Sequence, residues 1–118
     1  PTSCHRIDRG RALGALVVAR GEIWWGEAPD AKGRPYLVVS RDAANDVMKR
    51  VLVAPVTRRI RGIPSELPLG PDEGLPVESV ASFDNLRPFP KTMLVRRVGH
   101  LATRSHLICD VAAATLAC

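Results

Sequence analysis

Two short runs near the middle of the chain constrain its fold more than any other feature: Arg34-Pro35-Tyr36-Leu37-Val38-Val39-Ser40 and Val51-Leu52-Val53-Ala54-Pro55-Val56-Thr57. Each is nearly unbroken, apolar and rich in β-formers. Each carries a chemically useful polar residue at one end, an arginine before the first and a threonine after the second. The polar stretch between them is short, so the runs can pair as antiparallel neighbours, with the start of one beside the end of the other. Arg34 and Thr57 then become neighbours in space. A fixed guanidinium beside a hydroxyl is a good place to hold a phosphate.

With 118 residues the chain is one domain, large enough for a core without metal or disulfide staples. Aromatic residues are only 4% of the chain, which argues against a platform stacking several bases. The net charge is +5 and rests mostly on arginines, whose fork reaches two phosphate oxygens at once; a merely solvated basic surface is the plainer reading. Cys4, Cys109 and Cys118 are odd in number and far apart, which fits reduced thiols in the cytoplasm. With His5, His100 and His106 they form no ligand-spaced cluster, so no metal or other cofactor is expected. No stretch approaches the ~18 apolar residues of a membrane span.

Residues 1–19 read as a flexible extension. Arg6, Arg9 and Arg11 precede an apolar stretch over residues 12–19 that has the outline of a secretion signal but is short for one. The domain, residues 20–118, opens on a strand at Arg20-Gly21-Glu22-Ile23-Trp24-Trp25, followed by a loop to Gly33. A helical turn over residues 41–46 separates the two apolar strands. Residues 58–64 form a cationic loop, and Glu66-Leu67-Pro68-Leu69 an edge strand, because Pro68 cannot donate to a ladder. Residues 70–74 are a turn, residues 78–83 and 94–98 strands, and residues 84–88 a bend between them. From Thr103 the period becomes helical, with Leu107, Ile108, Val111, Ala112 and Leu116 on one face and Thr103 or Ser105 as caps. Many short strands followed by one helix predict a mainly β, strongly bent small barrel.

The order of short motifs is informative. Arg-Gly-Glu-Ile-Trp is followed by Arg34-Pro35, Val-Ala-Pro-Val-Thr, Gly74-Leu75, Glu78-Ser79-Val80, Asp84-Asn85-Leu86-Arg87 and Val98-Gly99-His100-Leu101. This ordered set resembles the MazF/PemK family of toxins over residues 20–118. The resemblance implies an SH3-like barrel of the MazF/PemK/CcdB type that forms a homodimer. It implies a metal-independent endoribonuclease of a toxin–antitoxin pair, cutting single-stranded RNA at short preferred sequences. It also implies silencing by an antitoxin whose tail, acidic to suit a basic groove, lies in the RNA path. The family's catalytic arginine and threonine match Arg34 and Thr57. Before Arg34 the chain departs from the pattern: many relatives carry a glutamate in a longer loop, where this chain offers only Glu27 or Asp30.

Metal-free RNA cleavage needs the 2′-hydroxyl to attack its own phosphate while charge builds on the phosphoryl oxygens. Arg34 suits phosphate stabilisation and leaving-group assistance, and Thr57 suits orienting the phosphate by a hydrogen bond. Arg34 is a poor base, so another group, or solvent, takes the 2′ proton. Lys32, Arg58, Arg59 and Arg61 are candidates to line the RNA path, with Phe83, Asn85 and Arg87 to meet a base, although Phe83, like Trp24, reads equally as barrel packing or a dimer contact. On the residues alone, Arg34 reads equally as a surface arginine paired with Asp30 or Glu27, and Thr57 as a strand end satisfied by backbone. Two other functions stay open: a toxin of the same fold that only binds a protein such as DNA gyrase, and a non-catalytic nucleic-acid-binding barrel.

Overall fold

Valine-rich runs with no polar alternation need cover on both faces, and the molecule supplies it. The computed structural model describes residues 17–29 and 32–117. Strands β1 (Glu22–Gly26), β2 (Arg34–Val38), β3 (Arg50–Thr57), β4 (Glu66–Leu69), β5 (Ser79–Ser82), β6 (Arg87–Pro90) and β7 (Leu94–His100) form one antiparallel sheet. Helix α1 (Asp42–Val47) links β2 to β3, and α2 (Leu107–Leu116) closes the chain. The path runs β4-β5-β3-β2-β1-β7, with β6 paired to β3 beside it.

One face of β2 sends Leu37 into a cluster with Ile23, Ala54, Val56, Leu67 and Phe83, which Ile108 of α2 covers. The other face sends Tyr36 and Val38 into a second cluster with Trp24, Val51, Val53 and Phe89. Burial on both sides removes the inside–outside alternation that a half-exposed strand shows. Val18 is buried in the second cluster, so the packed unit reaches at least that residue, two short of the boundary read from the sequence. Residues 1–16 of the expected extension lie outside the described residues.

Two sequence expectations are corrected. The bend at residues 84–88 is a 3₁₀ turn at Phe83–Asn85 followed by strand β6, whose Pro88 and Pro90 stand opposite Leu52 and Arg50. Two prolines disguised that strand, yet β6 pairs with β3 alone, so its proline-bearing backbone meets the ladder on one edge only. Neither Thr103 nor Ser105 caps α2. Its N-cap is His106, already in helical conformation after the 3₁₀ turn Ala102–Arg104, and the Ser105 hydroxyl donates back to the Ala102 carbonyl.

The central strand β3 positions the site. Residues 50–53 pair with β6, residues 53–55 with β2, and Val56 and Thr57 with β5. The 70–75 turn is pressed against β7. A Cβ on Gly99 would lie 1.7 Å from the Glu73 carbonyl oxygen, so only glycine fits there. Glu73 ties the same turn internally, accepting from the Gly70 N–H at 2.7 Å and from the Arg104 guanidinium.

Candidate active site

The β2–β3 register matches Tyr36 with Pro55 and Leu37 with Ala54; Arg34 and Thr57 lie two residues beyond the last matched pair on either strand, and both line the same clefts. The pairing read from the sequence therefore holds. Arg34 is exposed at the start of β2, and its guanidinium has no ion-pair or hydrogen-bond partner among the described residues. Glu27 instead accepts the Trp25 indole N–H at 3.0 Å, and Asp30 lies outside the described residues. Thr57 is half-buried at the end of β3, and its Oγ1 accepts the Arg59 N–H at 3.1 Å.

These two residues form the shared wall of adjoining clefts. The larger, about 420 Å³, is bounded by Trp25, Gly33, Arg58, Val77 and Arg96 besides Arg34 and Thr57. The smaller, about 220 Å³, adds Arg59, Arg61, Glu66, Ser82 and Asn85 to the same pair. Among the described residues five arginines thus line the two clefts (34, 58, 59, 61 and 96), against one carboxylate, Glu66. Among the described residues no group of three or more His, Cys, Asp or Glu stands placed to hold a metal ion.

The cationic loop is held in place by that carboxylate. Glu66 Oε1 accepts the N–H groups of Arg61 and Gly62, both at 3.0 Å. Asn85 reaches the smaller cleft and donates from Nδ2 to Ser82 Oγ at 2.9 Å. Three expected RNA contacts fall elsewhere. Phe83 is corrected: it is 2% exposed within the first core cluster, so its ring is not presented to a base. Lys32 is exposed but lines neither cleft, and Arg87 sits on β6 with its guanidinium 5.3 Å from the Phe89 ring centre.

Sequence reading missed the floor of the larger cleft. Trp25 lies beneath the Arg96 guanidinium, 5.6 Å from the ring centre, an arrangement that stiffens both side chains. A Cβ on Gly33 would come within 2.6 Å of the Trp25 indole nitrogen, so this glycine lets the ring pack close against the backbone. β1 and β7 are distant in sequence and their pairing is broken by two register shifts, which hides the contact from any local pattern. Glu66 was legible only as a strand residue.

Residues 19–114 match the profile described as PemK-like, MazF-like toxin of type II toxin-antitoxin system. A probable endoribonuclease MazF5 of Mycobacterium tuberculosis is 40% identical over 102 residues, which cover 85% of this chain and 94% of that protein. A probable endoribonuclease MazF2 of the same species is 38% identical over 101 residues, covering 84% and 98%. Among solved structures, the M. tuberculosis toxin MazF-mt6 superposes with a TM-score of 0.72 at 29% identity, covering 80% of this chain and 94% of that one. A mycobacterial endoribonuclease in complex with its cognate antitoxin gives 0.74 at 25% identity, covering 85% and 95%. Family profile, relatives and fold agree: the chain belongs to the PemK-like, MazF-like toxins of type II toxin–antitoxin systems.

Proposed function

We propose that this chain is the toxin of such a pair and acts as a sequence-specific endoribonuclease on single-stranded RNA, without a metal. The observation that carries the reading is that Arg34, without an ion-pair or hydrogen-bond partner among the described residues, and Thr57 together line both of two adjoining arginine-lined clefts. A strand of RNA running from one cleft to the other carries a phosphodiester past that junction. The 2′-hydroxyl attacks phosphorus and gives up its proton, and the bond to the 5′ oxygen breaks. Arg34 and Thr57 donate to the phosphoryl oxygens as they gain charge, and Arg34 also stabilises the departing oxygen. The products are a 2′,3′-cyclic phosphate and a 5′-hydroxyl end.

The same clefts suit an antitoxin with an acidic, partly disordered tail, because carboxylates find the same arginines that phosphates do. One solved relative is held by its cognate antitoxin, and this chain has the fold to be held likewise, as a homodimer. No helix among the described residues is long and apolar enough to cross a membrane. The protein acts where its RNA is, in the cytoplasm. Mixed RNA incubated with the protein in excess EDTA and mapped at its ends tests the reading. Discrete cuts with 5′-hydroxyl ends are expected, lost when a single 2′-deoxy nucleotide replaces the ribose at a cut. A cut that survives that replacement contradicts the mechanism.

A further inference from the structure

The cleavage chemistry, as set out above, lacks one part: a group to take the 2′ proton. Guanidinium and threonine hydroxyl are donors, and His100 and His106 line neither cleft. We propose that Glu66 is that acceptor, an inference that rests on the proposed nuclease activity. It supplies the single carboxylate among the described residues lining the two clefts, in the smaller one with Arg34 and Thr57. Its two oxygens do different things. Oε1 is anchored by the backbone N–H groups of Arg61 and Gly62, which fixes the carboxylate plane. Oε2 has no hydrogen-bond or ion-pair partner among the described residues, although Arg59 and Arg61 line the same cleft.

A half-buried carboxylate with one oxygen tied and the other open is built to receive a proton without moving. In the step, the O2′–H bond breaks and its proton passes to Oε2. The electron pair left on O2′ forms the bond to phosphorus. The P–O5′ bond breaks, and the 5′ oxygen takes a proton from water. Glu66 then returns its proton to solvent.

Glu66→Gln separates this role from loop anchoring, because the amide oxygen still accepts from Arg61 and Gly62 while the other atom can no longer take a proton. The experiment compares single-turnover cleavage of a short RNA carrying a mapped cut site with binding of its uncleavable 2′-deoxy version. General-base loss typically costs 100- to 10,000-fold. We expect kcat to fall in that range with Kd unchanged within threefold, and any fall of tenfold or more at unchanged Kd supports the role. A smaller fall overturns it and leaves the Arg34–Thr57 reading standing. A loss that appears equally in Kd also overturns it, making Glu66 a loop anchor only. Wild-type protein that binds this RNA without cutting it overturns both.

Discussion

Thr57 Oγ1 accepts the backbone N–H of Arg59 at 3.1 Å, so the hydroxyl is fixed in direction and its own proton is left for another acceptor. Thr57 lines both clefts together with Arg34, so that proton is available to a phosphate held where they meet. Removing one preorganised donor to a transition state costs about 2.7–4 kcal/mol. Thr57→Val, which keeps the shape and loses the hydroxyl, is therefore expected to lower kcat about 100- to 1,000-fold in single-turnover cleavage. Thr57→Ser keeps the donor and stays within about tenfold of wild type.

The loop after Thr57 divides its arginines between the clefts, Arg58 facing the larger, Arg59 and Arg61 the smaller. Each phosphate contact on a single strand contributes about 0.7 to the slope of log affinity against log salt. Replacing any one of the three by alanine is expected to flatten that slope by about 0.7 in a fluorescence titration. Arg87→Ala, outside both clefts, leaves it unchanged.

Gly33→Ala drives a methyl group into the Trp25 indole at 2.6 Å. The ring must leave its place beneath Arg96, and the larger cleft loses its floor. RNA affinity is expected to fall at least tenfold, together with a changed near-ultraviolet circular dichroism of tryptophan. An unchanged tryptophan signal with full affinity contradicts this account of the cleft.

Phe83 belongs to the core, where large-to-small substitution of an aromatic residue costs about 3–5 kcal/mol. Phe83→Ala is expected to lose that much stability in urea unfolding. Phe83→Leu refills most of the space, and its RNA affinity stays at the wild-type value, which a base-stacking ring would not allow.

How far the sequence could be read follows from what each residue's signal depends on. The Arg34–Thr57 juxtaposition was legible because it needs only two neighbouring strands and their direction, both carried by local composition. Pro68 marked an edge strand for a reason confined to one residue, its missing N–H. Strand β6 was hidden because Pro88 and Pro90 favour turns wherever the pairing partner is unknown. Phe83 was misplaced because an aromatic residue beside Asp84 and Asn85 looks the same whether its ring faces core or solvent. The Trp25–Arg96 floor and the Glu66 anchor depend on contacts between distant strands and on one backbone loop, which no periodicity reports.

The claim on which the functional account turns is that Arg34 acts on the scissile phosphate. Arg34 is exposed and unpartnered among the described residues, so Arg34→Ala leaves the fold intact. Mapped cleavage of mixed RNA by this variant in EDTA, beside wild type of equal melting temperature, tests it most directly. The account predicts wild-type cuts with 5′-hydroxyl ends and none from the variant; cuts by the variant at the wild-type rate contradict it.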